Sequence, residues 1–373
     1  LYLEKLHLKN YRNYELLDAG FSPHFNILVG SNAQGKTNLI EAIYYLATGR
    51  AYRLARDSQL IKWETKFFRI SGKILNKQGS LVLDILYGTD SQAGKEIKIN
   101  GVKINKISGL LGNLTAVLFA PEDLNIIKGP PEERRKLLDN DISQVSPGYF
   151  LKTQQYNRIL NQRNHLLKKL ISRRIPDGEL EIWSRQLLNI SIEIIKKRIL
   201  VLEKLAPLTR LMQRRLTGGL ENLEIKYLLN KQAEIKKSDD IRDMLEEEME
   251  KNIKEERKRG ITLWGPHRDD LLFLLNGNDL KYFGSQGQHR TAVLAVKLAE
   301  LEFFKSESGE FPVLLLDDVM SELDEYRREL LITTILDKNI QCFITTTDRQ
   351  FLLPHGTDRI KEYKIKRGSL FET

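Results

Sequence analysis

The stretch Phe25–Tyr45 constrains this chain more than any other. Phe25-Asn26-Ile27-Leu28-Val29 is an apolar run that ends at a glycine, the pattern of a buried strand entering a turn. The next residues, Gly30-Ser31-Asn32-Ala33-Gln34-Gly35-Lys36-Thr37, fit G-x-x-x-x-G-K-[ST] at every fixed position. Leu39, Ile40, Ile43 and Leu46 then recur at helical spacing, which places the motif between a strand and a helix. Two glycines let the backbone curl until successive N–H groups face one concavity and hold phosphate oxygens. Lys36 is a cation on a flexible stem suited to terminal phosphates, and the Thr37 hydroxyl is a candidate Mg²⁺ ligand. These residues imply a nucleoside triphosphate site.

A second group of motifs lies near the other end. Val313-Leu314-Leu315-Leu316 is an apolar run closed by Asp317-Asp318, the form of a Walker B strand. Asp317 can hold Mg²⁺ directly or through water, and Asp318 is placed to polarise an attacking water. Ser321-Glu322-Leu323-Asp324 follows, and Phe343-Ile344-Thr345-Thr346-Thr347-Asp348 reads as another core strand with a polar end. Upstream, Phe283-Gly284-Ser285-Gln286-Gly287-Gln288-His289-Arg290-Thr291 precedes a predicted helix from Ala292 to Phe303. Ser285 and Gly287 at a helix start form a second anion-binding surface, with hydroxyl and backbone N–H groups aimed outward. The order of these motifs resembles that of ABC-type ATPases. In that class each nucleotide is sandwiched between the Walker motifs of one head and the S-x-G-Q motif of another, so the resemblance implies ATP-driven dimerisation.

The remaining sequence supplies the frame. Leu3, Leu6 and Leu8 alternate with Lys5, His7 and Lys9 as in an edge strand, and Asn10–Tyr14 reads as the following turn. Arg12 in that turn either reaches the nucleotide or is solvated. From Phe67 to Phe119 the reading is mostly β, with Ile97 and Ile99 facing Ile104 and Val102 across Asn100-Gly101, a strong hairpin signal. Glu122 and Asp123 suit a sensor loop that meets metal or water, or an N-terminal helix cap. From Pro147 to Gly260 amphipathic helices dominate, punctuated by Pro176, Gly178, Pro207 and Gly218-Gly219, with a short strand at Leu223–Leu229. The expected organisation is α/β: an ABC-type ATPase head, with a mixed sheet around a P-loop core and an antiparallel β subdomain, carrying an inserted α-helical arm. Its parts are 1–146 with Walker A, the arm 147–260, and 261–373 with the signature motif and Walker B.

Composition narrows the setting. Among 373 residues Cys342 is the only cysteine, which excludes a disulfide framework and a Cys-rich zinc site and fits a reducing cytosol. No apolar run is long enough to cross a bilayer and no leader is read at the start, so a cytoplasmic location without a membrane partner is expected. The net charge of +9 favours a polyanionic partner. Arg53, Arg56, Arg134, Arg135, Lys168 and Lys169 are candidates for phosphate-backbone contacts.

Tyr11-Arg12-Asn13, Gly30–Asn38, Gly49-Arg50-Ala51-Tyr52-Arg53, Pro121-Glu122-Asp123-Leu124 and Gly129-Pro130-Pro131 through Arg134-Arg135 together resemble the RecF family. So do Gly265-Pro266-His267-Arg268-Asp269-Asp270, Ser285–Thr291 and Leu316-Asp317-Asp318-Val319, so that the resemblance spans nearly the whole chain. RecF proteins resemble the heads of SMC proteins, with a short helical arm in place of a long coiled coil. The resemblance implies ATP-dependent DNA binding at single-strand/double-strand junctions or duplex, without sequence preference. It also implies action with RecR and RecO to direct RecA loading at single-stranded gaps, in recombinational repair and replication restart. By the same resemblance Gly30 to Thr37 bind ATP, Thr37 and Asp317 hold Mg²⁺, and Asp318 orients water. Ser285, Gly287 and Gln288 then contact the γ-phosphate of the opposite subunit, and Asp324 lies at that interface. His267, Arg268 and Asp269 are read as a salt-bridged structural turn.

Three departures from the ABC pattern stand out: Asp318 where Glu is usual, Phe283-Gly284 before the signature serine, and Thr345-Thr346-Thr347-Asp348 where a switch histidine is usual. They point to slow hydrolysis that times a DNA-bound dimer. A transporter subunit would share the ATP chemistry but not the helical insertion or basic balance. An SMC-type chromosome organiser needs longer arms, and a nuclease needs a further acidic metal cluster.

Overall fold

A computed structural model describes residues 1–53, 56–89, 94–172, 177–235, 240–347 and 359–372. Pro176 and Asp348, named above, lie outside the described residues. The chain forms two compact units, Leu1–Asp123 with Lys297–Thr373, and Leu124–Val296. The second unit begins before and ends after the arm read from the sequence at 147–260. No helix is long and apolar enough to cross a membrane among the described residues.

Among the described residues the first unit contains two six-stranded sheets. In one, the order is Ser369–Glu372, Ile360–Lys366, Phe25–Val29, Cys342–Thr346, Val313–Asp317 and Ala116–Phe119. All neighbours are parallel except the hairpin of Ile360–Lys366 with Ser369–Glu372. Val313–Asp317 and Cys342–Thr346 are buried at every position. Buried runs of this kind, apolar up to their polar ends at Asp317 and Thr345-Thr346, are what a parallel sheet covered on both faces requires. Parallel register brings Val29, Asp317 and Thr346 to one end of the sheet, the end at which such sheets place their ligands.

The other sheet is antiparallel, ordered Tyr14–Gly20, Tyr2–Tyr11, Phe67–Asn76, Gly79–Gly88, Lys95–Ile99 and Val102–Ile104. Asn100 and Gly101 have φ of 50° and 81°, the paired positive values of a type I′ turn, and Ile99 pairs with Val102 and Ile97 with Ile104 as expected. The first strand, read as an edge, is interior. Tyr11 and Tyr14 close a tight hairpin that lays Tyr14–Gly20 along its open side, while Phe67–Asn76 takes the other. A register shift between Leu3 and Lys5 blurs the alternation that made it resemble an edge. The helix Lys36–Thr48 packs against both sheets, and eleven of its thirteen residues are buried. A helix enclosed on all sides is core. Burial of Leu39, Ile43 or Leu46 stabilises the unit by about 2 kcal/mol each.

The second unit packs the helices Pro131–Val145, Pro147–Ser172, Asp177–Leu216 and Ile241–Arg259 with a four-stranded sheet. The sheet order is Ala233–Glu234, Leu223–Leu229, Asp270–Leu275 and Asn278–Asp279. Pro207, read as punctuation, lies inside the longest helix. A proline removes one ladder hydrogen bond, but Leu202, Leu205, Thr209, Met212 and Leu216 keep one face buried on both sides of it. Continuous burial carries the helix on to Gly218-Gly219. Arg163 and Glu256 form a fully buried ion pair at 2.6 Å, while Ser184 accepts from Arg163 Nε and Thr262 from its Nη1. A buried pair satisfied in this way escapes the penalty of an uncompensated charge.

Candidate nucleotide-binding site

The phosphate loop is held from outside as much as by its own glycines. Gly35 has φ 117°, and a Cβ there would lie 2.6 Å from Asn13 Nδ2. Asn13 Nδ2 donates to the Gln34 carbonyl at 2.9 Å, and Tyr14 OH donates to the Gly35 carbonyl at 3.0 Å. From the other terminus, Gly368 N donates to the Gln34 carbonyl at 3.1 Å and Arg367 N to Gln34 Oε1 at 2.7 Å. The two terminal hairpin turns therefore brace the loop from both sides. Ser31, Asn32 and Ala33 remain exposed at its crest. Gly35 caps the helix with no side-chain hydrogen bond, so the first-turn N–H groups face outward, as an anion site needs.

Lys36 Nζ curls over this crest and donates to the carbonyls of Gly30 and Ser31, the latter at 3.1 Å. Burial lowers the Lys36 ammonium from its ordinary value, against the pull of Asp318 and Asp317. Asp317 is the hub beside it. Its Oδ1 accepts from the Thr37 and Thr345 hydroxyls, both at 2.9 Å, and its Oδ2 accepts from Arg53 Nη2 at 2.9 Å. Asp318 follows in a left-handed conformation, φ 56°, with its N–H on Thr345 Oγ1 and its side chain exposed. Thr37 and Asp317 thus offer adjacent oxygen donors of the kind Mg²⁺ takes, and the Asp318 carboxylate stands at the mouth of the same end of the sheet. The donor set fits a nucleoside triphosphate with Mg²⁺.

Two residues of this constellation escaped sequence reasoning. From the sequence Arg53 reads only as a candidate for phosphate-backbone contacts. It bridges Asp317 and Glu122, the latter at 3.1 Å, and these carboxylates outweigh burial to hold it above its ordinary value. Thr345, 1% exposed, opens the stretch Thr345–Asp348 that stands where the ABC pattern has a histidine. Both bonds reach far along the chain, and no local pattern announces them. Glu122 meets the site through Arg53. Asp123 caps its own turn by accepting from Ala120 N and takes an ion pair from Lys297 at 3.5 Å. Arg12 is pinned to Glu41 of the loop helix at 2.8 Å and donates to the Gln59 carbonyl.

The Ser285 segment lies in the second unit, and its cap is closed within four residues. The helix begins at Gln286, not Ala292, so Gly287 and Gln288 occupy its first turn. Ser285 N donates to Gln288 Oε1 at 2.8 Å while Gln288 N donates to Ser285 Oγ at 3.2 Å. This is a reciprocal capping box. The cap consumes part of the polar capacity expected to face outward, leaving the Ser285 hydroxyl hydrogen and the Gly287 N–H. A Cβ on Gly287 would meet only Ser285 Oγ, at 4.0 Å.

Other residues take structural positions. Asp324 caps the helix Glu325–Asp337 by accepting from Arg327 N and pairing with the Arg327 guanidinium. Arg134, 4% exposed and bidentate to Asp270 at 2.7 and 3.0 Å, is withdrawn from any phosphate backbone. Arg135 donates to the Asp269 carbonyl. Arg56, Lys168 and Lys169 are exposed. In the turn 265–270, Tyr156 OH and His267 Nδ1 are 2.5 Å apart, and Asp269 accepts from Tyr227 OH at 2.6 Å and Asn230 N at 2.9 Å.

Comparison with known proteins agrees with this architecture. The family model of the RecF/RecN/SMC N-terminal domain matches residues 2–367. A protein of Halalkalibacterium halodurans named DNA replication and repair protein RecF is 41% identical over 374 residues, 99% of each chain. Its namesake in Alkaliphilus oremlandii is 43% identical over 99% of each chain. A solved structure described as the recombination mediator protein RecF-ATP in RecFOR pathway superposes with TM-score 0.91 at 37% identity, covering 100% of this chain and 97% of that one. An Smc head domain of Pyrococcus furiosus, at 18% identity and TM-score 0.57, shares the fold. Similarity at this level runs from one end of the sequence to the other, and the chain belongs to the RecF family.

Proposed function

We propose that this chain is an ATP-dependent DNA-binding protein of recombinational repair and replication restart, working as a dimer that forms when ATP is bound. The observation that carries the reading is the direct Thr37–Asp317 hydrogen bond, which joins phosphate loop and Walker B strand across 280 residues at the ligand end of the parallel sheet. Gly30 to Thr37 would hold the phosphates, with Lys36 leaving its loop carbonyls for the terminal phosphate oxygens. Thr37 and Asp317 would hold Mg²⁺, which when bound offsets charge on the transferring phosphoryl group. Asp318 would orient water. Ser285 and Gly287 of a second copy would complete the phosphate cage, with Gln288 fixing Ser285, and Asp324 would border that interface. Gly287 has no internal need to be glycine, which fits a close approach by a ligand.

The name of its relatives and the RecFOR pathway named for the solved RecF structures support a role at DNA beside RecR and RecO; RecA loading through them, in the cytoplasm, completes the proposed reading. Residues 147–260 would serve as the arm that meets DNA, with Lys168 and Lys169 on its surface. Hydrolysis would be slow, stimulated by DNA, and would time release. A turnover of hundreds per second on DNA would overturn the timer, since ordinary enzymes reach roughly 1–10³ s⁻¹.

The decisive experiment is solution mass with Mg²⁺ and ATP, with and without short duplexes, for wild type, Lys36→Met and Ser285→Arg. Wild type is expected to dimerise only with ATP, Lys36→Met to stay monomeric, and Ser285→Arg to bind ATP without dimerising. A wild type that binds ATP, stays monomeric and ignores DNA would reduce the chain to a P-loop ATPase.

A further inference from the structure

We propose that Glu221 is a positioning residue that sets the donors of the Ser285 helix start and ties them to the long arm helix. The inference rests on the role of Ser285 in trans proposed above. Glu221 follows the end of the helix Asp177–Leu216, where Gly218 and Gly219 turn the chain with φ of 61° and 86°. Its N–H donates to Thr217 Oγ1 at 3.2 Å, and Thr217 Oγ1 donates back to the Gln213 carbonyl at 2.9 Å. The Glu221 side chain is therefore presented from the last turn of the arm helix.

Its carboxylate is divided between two amides. Oε2 accepts from Gln213 Nε2 at 2.7 Å, and Oε1 accepts from Gln288 Nε2 at 2.9 Å. Gln213 is fully buried, and its Oε1 has no partner among the described residues, so Glu221 anchors its amide. The effect on Gln288 is chemical. An amide has one donating end and one accepting end. With Nε2 held by a carboxylate, Oε1 must face Ser285 N, as it does at 2.8 Å. The flipped amide would set its oxygen against the Glu221 carboxylate and its NH₂ against the Ser285 N–H. Glu221 thus selects the rotamer that closes the capping box, keeps Ser285 Oγ accepting from Gln288 N, and directs the hydroxyl hydrogen to an incoming phosphate oxygen.

The phosphate loop belongs to the other unit, so ATP binding and assembly should separate. Glu221→Ala and Glu221→Gln are compared with wild type and Ser285→Arg by ATP titration and by the protein concentration at half-dimerisation in Mg²⁺ and ATP. Glu221→Ala should bind ATP within about twofold of wild type but need roughly tenfold more protein to dimerise, the scale of one lost charge-assisted hydrogen bond. Glu221→Gln, which keeps one accepting oxygen and the volume, should fall between, and it carries the test if the alanine variant folds poorly. Wild-type dimerisation by a folded Glu221 variant, with Ser285→Arg defective, overturns the role of Glu221 alone. If Ser285→Arg also dimerises normally, the trans reading of the signature has failed instead.

Discussion

The helix Lys36–Thr48 starts at a glycine with φ 117° walled in by Asn13 and Tyr14, with Gln34 beside it tied to Gly368. The helix Gln286–Ser308 starts with a capping box closed inside four residues, and its glycine has open space around it. Both are helix N-termini with N–H groups to offer phosphate. The first is shaped by the chain's own packing and exists as a loop whether or not a ligand arrives. The second is a capped helix start whose glycine the fold does not need. In the first, glycine answers an internal demand; in the second, packing makes none, which is what the proposed approach of a phosphate would leave.

The largest effect tests the ligand side of the first site. Lys36→Met should weaken ATP binding by about 100-fold, the scale of lost charge-assisted hydrogen bonds, while the melting temperature stays near that of wild type. Titration calorimetry reads the first and thermal unfolding the second. Gly35→Ala should instead damage the fold, since a left-handed backbone and a 2.6 Å approach to Asn13 combine to cost about 2 kcal/mol or more before any nucleotide is added. An unchanged melting temperature would break the claim that this loop is shaped internally.

The turn preceding the second site responds to pH. Burial, then Arg268, lowers His267 to about 4, so the stability this residue contributes is intact above its usual 6.5 and is lost as pH falls toward 4. Burial raises Asp269 to about 6, so its ionisation costs stability as pH rises from its usual 3.8 through 6. The two oppose each other over the same window. His267→Asn leaves Asp269 alone, so wild type should gain on the variant by about 2 kcal/mol between pH 4 and 6.5. Denaturant melts across that range give the difference; a constant gap would remove His267 from the balance.

The smallest change in stability should come from Gly287→Ala, neutral or up to about 0.5 kcal/mol stabilising because alanine is the better helix former. Dimerisation with ATP should nevertheless be lost. Equal damage to stability at Gly35 and Gly287 would erase the contrast between the sites.

Gly30–Thr37, Val313–Asp318 and Asn100-Gly101 were legible in the sequence because their chemistry lies in short spacings. A strand run, a glycine turn and a helical period each need only neighbours along the chain. Those determined the P-loop core, the antiparallel hairpins and the helical insertion. Only the tertiary structure decided that Arg53 and Thr345 meet at Asp317, that Asn13 and Gly368 brace Gln34, and that Glu221 joins Gln213 to Gln288. It also withdrew Arg134 from the surface, carried a helix through Pro207 and moved the first strand off the edge. The physical reason is common to all of these. Each depends on which distant segment supplies a partner or covers a face, and such pairings follow from the packing of whole elements, which leaves no periodicity in the residues themselves.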